Sequence, residues 1–130
     1  MLLDEIGYWA FWLAFISIIA IFIHFIYWNI LHIYLKKHDS ILFKEPYFSV
    51  NELAVYSSWP LSLVKTTAYV LLLTNSGISK KRFIKLTDPI SESKMIIYLC
   101  HIWKVSLILI VVVFSSCMIW VGIDMLILKS

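Results

Sequence analysis

Residues 6–35 read IGYWAFWLAFISIIAIFIHFIYWNILHIYL, and no Asp, Glu, Lys or Arg interrupts the chain between Glu5 and Lys36. Crossing the hydrocarbon core of a bilayer takes roughly 20 apolar residues, so this run spans with tilt to spare. A cleavable signal peptide is the competing reading. It fails because the amino end carries Asp4 and Glu5 instead of basic residues. The run also exceeds an h-region, and no small-residue cleavage pattern follows it. The stretch from about Gly7 to Tyr34 is therefore expected to be one helix.

A second run behaves the same way. Every residue between Lys104 and Asp124 is uncharged, and Ile108 to Phe114 is almost wholly branched aliphatic. Asp88-Pro89 offers a helix start, since Asp accepts a bond from a free amide and Pro fits the first turn. No Gly or Pro follows until Gly122. A helix from Pro89 to Leu128 would be about 60 Å long and would project from the membrane.

Composition agrees. Of 130 residues, 62% are hydrophobic and 15% charged, and the mean hydropathy is +0.89. Soluble domains are closer to half apolar and a quarter charged. The fold expected is an all-α membrane protein. Its segments are an N-terminal transmembrane helix (1–35), a basic cytoplasmic middle with short amphipathic helices (36–88), and a long helix containing the C-terminal span (89–130). In the middle, Ser49-Val50-Asn51-Glu52 fits a capping box, and the helix it starts should stop before Pro60. Leu61 to Thr74 reads as another helix, ended by Asn75-Ser76-Gly77. It is too short to span comfortably. Three placements stand open for it: in the membrane interface, against another subunit, or as a re-entrant element.

The basic residues set the orientation. Lys36, Lys37, Lys44, Lys65, Lys80, Lys81, Arg82, Lys85 and Lys94 fall in or next to the middle segment, and the amino tail has none. The positive-inside bias then puts the middle in the cytoplasm and both termini outside.

Catalytic motifs are missing from the sequence. There is no glycine-rich phosphate loop, paired-cysteine metal motif or nucleophile elbow, which argues against an enzyme. Cys100 and Cys117 read as small buried hydrophobes. Nucleic acid is a poor partner for a chain with a net charge of +3. His24 lies mid-span, where a polar group faces protein or water. It reads either as a helix-packing imidazole or as a proton carrier, quinone contact or haem ligand. Asn29 could glue helices in the same way. His32 and His101, one per long helix, would form a haem b or metal pair if they approached each other, although His is also common at membrane boundaries without any chemical role. His38 reads as a solvated loop residue. Trp28 lies deeper than an interfacial anchor should, unlike Trp9, Trp12 and Tyr34; with Phe25 it reads either as lipid-facing bulk or as part of a contact surface for another helix or for lipid. Trp103 fits an interfacial level, and Lys104 would snorkel beside it. Ser17, Ser115 and Ser116 offer small packing surfaces. The cluster Lys80, Lys81, Arg82 and Lys85 would meet anionic headgroups or an acidic partner, although setting topology alone would also account for it.

The stretches Lys36-Lys37-His38-Asp39, Leu42-Phe43 and Phe83-Ile84-Lys85-Leu86-Thr87-Asp88 resemble the universal stress protein B family of small bacterial inner-membrane proteins. Ser40 stands where that pattern carries Pro. The resemblance implies two spans, a basic cytoplasmic middle with short helices, an inner-membrane location and a stress-linked accessory role, with no catalytic residues. The leading expectation is thus a non-enzymatic accessory or assembly subunit of an inner-membrane complex, in contact with lipids and with other membrane subunits or copies of itself. Two alternatives remain: a small haem- or proton-carrying subunit using His24 or His32 with His101, and a phage- or plasmid-type exclusion or immunity protein.

Overall fold

The computed structural model describes residues 2–74, 77–86 and 90–130. All regular structure among them is helical. The order is α1 (Leu2–Leu35), a 3-10 turn (Lys36–His38), α2 (Asp39–Leu42), α3 (Val50–Val55), α4 (Ser62–Leu73), α5 (Gly77–Arg82) and α6 (Lys94–Lys129). The two long helices, α1 of 34 residues and α6 of 36, are each about 50 Å at ~1.5 Å per residue. Both are long and apolar enough to cross a membrane. A core helix of a soluble protein would bury its large side chains, but here Trp9, Phe22 and Ile23 on α1 and Ile119, Leu126 and Leu128 on α6 are exposed.

The second long helix starts later than the sequence suggests. Residues 90–93 are non-helical, and the Ser93 hydroxyl accepts the Ile96 amide at 3.4 Å. Ser93 therefore takes the capping part expected of Asp88; Asp88-Pro89 lies outside the described residues.

The chain divides into two compact units, Met1–Phe25 with Val105–Ser130, and Ile26–Lys104. In the first, α1 withdraws a stripe of small residues from the surface: Ala10, Ala14 and Ser17, followed by His24. Gly7 lies in register with them. The steps of three and four residues keep one helix face toward a neighbour, and small side chains allow backbones to come close. Cys117 is the buried residue of α6 here. At Gly7 a methyl group would meet the Asp124 Oδ2 at 2.9 Å. That oxygen ends a side chain that can turn aside, so Gly7→Val is expected to destabilise by no more than about 1 kcal/mol. Adding Asp124→Ala should recover part of the loss, as read by thermal unfolding in detergent. Ser115 and Ser116 do not join this seam. Both are exposed, and the Ser116 hydroxyl donates to the Val112 carbonyl of its own helix at 2.8 Å.

The second unit holds the short helices. The Ser49 capping box forms in full: the Ser49 hydroxyl accepts the Glu52 amide, and the Glu52 carboxylate accepts the Ser49 amide, both at 3.2 Å. It starts α3, which ends ahead of Pro60. α4 covers the stretch expected to be helical, and its buried face carries Leu63, Lys65, Thr66, Tyr69 and Val70. This chain itself covers that face, while Leu61 and Val64 remain exposed. Of the residues expected to end α4, Asn75-Ser76 lies outside the described residues, and Gly77 opens α5. Leu31, Leu35, Leu42, Phe48, Phe83, Ile96, Cys100 and Trp103 complete the apolar core. Trp103 is thus a core residue at 2% exposure.

Candidate functional site

The polar chemistry of the second unit gathers where α1 runs out. The turn after Leu35 carries Lys37, His38 and Asp39 in succession, and each of these side chains is engaged inside the chain. Lys37 Nζ reaches Glu92 Oε1 at 2.9 Å, and His38 Nε2 pairs with Glu92 Oε2 at 2.8 Å. The Glu92 side chain is 2% exposed, and its Oε1 also accepts the Ser93 amide at 3.0 Å. A carboxylate removed from water in this way needs several donors, and it has three. His38, expected to be solvated, is buried. Its imidazole closes a link between the end of α1 and the approach to α6.

Asp39 engages α4. Its Oδ2 accepts Lys65 Nζ at 2.7 Å, and its Oδ1 accepts the Tyr69 hydroxyl at 2.8 Å. Lys65 and Tyr69 are one turn apart on α4, so a single carboxylate meets both. The Lys65 ammonium also lies 4.2 Å from the Phe43 ring centroid, a cation–π contact. Burial, then the bond to Asp39, pushes the Tyr69 phenol well above its ordinary value. Close by, His32 Nδ1 and Thr66 Oγ1 share a hydrogen bond of 2.7 Å.

A third ion pair joins α3 to α5. Arg82 donates to Glu52 Oε2 at 2.8 Å and to the Tyr47 carbonyl at 3.1 Å, with its guanidinium 4.8 Å from the Phe48 ring centroid. Partial burial raises the Glu52 carboxyl, but the Ser49 amide and Arg82 outweigh it and hold it below the usual carboxylate range. Glu92 behaves alike: burial raises it, while Lys37, His38 and the Ser93 amide lower it further. Both carboxyls bind protons more weakly when folded. Their stabilisation is therefore complete above the ordinary carboxylate value near ~4.3 and is lost as pH falls through the lower folded values. Unfolding midpoints of the purified protein are expected to be flat from about pH 7 to 5 and to drop below about pH 4; Glu92→Gln should flatten part of that drop.

Beside these pairs lies an apolar groove. A cavity of about 250 Å³ is lined by Trp28 of α1, by Val64, Thr67, Ala68 and Leu71 of α4, and by Phe83 and Arg82. Trp28 is set against Trp103, with ring centroids 5.8 Å apart. Phe83 is held from behind by Tyr47 at 5.5 Å and Phe48 at 6.2 Å.

The candidate residues are thus dispersed among different tasks. Trp28 is a packing and groove residue. Asn29 accepts the Trp59 indole N–H at 2.8 Å. His24 is buried in the other unit. His32 is bonded to Thr66, while His101 lies on an exposed face of α6. Lys104 reaches the Thr74 hydroxyl at 3.4 Å. Of the basic cluster, Arg82 is committed to Glu52, and Lys80, Lys81 and Lys85 are exposed. Among the described residues, no group of three or more His, Cys, Asp or Glu is placed to hold a metal ion. Asp39, Lys65, Tyr69 and Glu92 do not stand out in the sequence. Their signal is faint: a charged residue on an otherwise apolar helix, and acidic partners far away in the chain. No protein-family model, no curated protein and no solved structure matches the chain.

Proposed function

We propose that this chain is a non-enzymatic accessory or assembly subunit of a bacterial inner-membrane complex. The observation that carries the reading is the outward surface of α6. Over 105–130 its large apolar side chains, among them Ile108, Val112, Ile119 and Leu126, are exposed, and its polar side chains are few. Such a surface suits lipid or another helix. Two helices enclose no polar path, so a role beyond anchoring needs other helices, either from partners or from further copies. The polar network of the second unit is consumed in holding the short helices together, as expected of a scaffold. The likeness in layout to the universal stress protein B family supports a stress-linked context for this role.

The membrane topology proposed with it has both termini in the periplasm and the middle segment in the cytoplasm. It rests on the crowding of basic residues into 36–94. The functional reading is tested by solubilising native membranes in mild detergent and weighing the particle by native mass spectrometry at natural abundance. A discrete hetero- or homo-oligomer is expected; a strictly monomeric particle overturns the reading.

A further inference from the structure

We propose that the groove between Trp28 and α4 holds part of one acyl chain of an anionic phospholipid, whose phosphate is bound by Lys80 and Lys81. The inference goes beyond the accessory-subunit reading and requires only that the chain resides in a membrane.

The walls select the tail. Val64, Ala68 and Leu71 on one side and the Trp28 ring on the other are apolar, and the floor is Phe83 at 4% exposure. Val64 is 41% exposed, so the wall is open to its surroundings. Whole small-molecule ligands occupy pockets of roughly 300–1,000 Å³. At about 250 Å³ this groove takes a segment of a chain, and a helix of ~10 Å diameter does not fit. A soluble acidic peptide would satisfy lysines but leave the apolar slot wet.

The charges select the head. Arg82 is the one charged residue lining the slot, and its guanidinium is already bound to Glu52 and the Tyr47 carbonyl. It braces the floor and leaves ligand charge to its neighbours. Lys80 and Lys81 lie within the same turn of α5. Both are exposed and make no ion pair among the described residues. An apolar slot with two unneutralised ammonium groups on the helix that borders it complements an amphiphile with a hydrocarbon tail and an anionic head. Basic clusters near a membrane recognise such headgroups.

The test uses native mass spectrometry of the purified full-length chain with phosphatidylglycerol or phosphatidylethanolamine of identical acyl chains. One phosphatidylglycerol per chain should be retained, with phosphatidylethanolamine retained on the order of tenfold less. The Lys80→Gln, Lys81→Gln double variant and the groove-filling Ala68→Phe variant should each cut phosphatidylglycerol retention on the order of tenfold. Val64→Trp, at an exposed position, replaces Ala68→Phe if that variant fails to fold. Equal retention of the two lipids, or unchanged retention in the lysine variant, overturns the proposal. Loss in the lysine variant but not in the groove variants shows a headgroup contact alone and overturns the groove assignment. Failure here with a chain that still resists carbonate extraction leaves the membrane reading standing.

Discussion

Asp39→Ala is expected to destabilise the 26–104 unit by about 3 kcal/mol. It strands Lys65, whose side chain is 5% exposed and whose ammonium is 2.7 Å from the lost carboxylate. Removing one member of a buried pair leaves the other charge without compensation, which costs more than the pair itself contributed. The Tyr69 hydroxyl loses its acceptor in the same step. A specific rescue follows. In Asp39→Ala, Lys65→Met no unpaired charge remains at this site, and at least half of the loss should return. Thermal unfolding of the four members of this cycle, in one detergent, measures the coupling. Additive losses would show that the pair is not the determinant.

Phe48→Ala should cost about as much, roughly 3–5 kcal/mol, by opening a cavity in the aromatic cluster. Phe48 is 1% exposed. Its ring contacts Phe43 at 5.3 Å, Tyr69 at 6.3 Å and Phe83 at 6.2 Å between centroids, and Arg82 lies over its face. One side chain thus ties the loop before α3 to α4 and α5. Phe48→Leu keeps much of the volume and should lose clearly less. Chemical unfolding of the two variants, with protease sensitivity of the 43–86 stretch as a local readout, checks the ordering. Phe83→Ala should follow Phe48→Ala in sign, since it removes the same contact from the other side.

Neither Asp39 nor Phe48 announces itself in the sequence, whereas the long helices do. A charge-free run the length of 6–35 is long and apolar enough to cross a bilayer. The Ser49 box is equally plain, because its logic spans three residues and needs no tertiary information. The stripe of Gly7, Ala10, Ala14 and Ser17 is present in the spacing but hidden. Apolar residues surround α1 on all sides, so hydropathy has no contrast along it. Size is the informative property there, not polarity.

The ion pairs escape for a different reason. Lys65 meets Asp39 across 26 residues, and His38 meets Glu92 across 54. Nothing local marks a Lys on an apolar helix as buried and paired instead of snorkelling. His38 looks like a loop residue because the turn after Leu35 is short and charged, yet that turn is where three separate segments converge. The start of α6 is misplaced in the sequence because Asp88-Pro89 is the stronger local signal, whereas Ser93 caps the helix that forms. The groove draws on α1, α4 and the end of α5 and has no signature in any one of them.

The proposed topology, with both termini on one side of the membrane and the short helices on the other, makes a sharp prediction for labelling by a membrane-impermeant maleimide in intact cells. The variants are Ser130→Cys and Lys81→Cys, both at exposed positions, in a Cys100→Ala, Cys117→Ala background. Ser130→Cys is expected to label in intact cells, whereas Lys81→Cys should label only after lysis. Labelling of Lys81→Cys in intact cells, or identical behaviour of the two positions, would contradict the proposed topology.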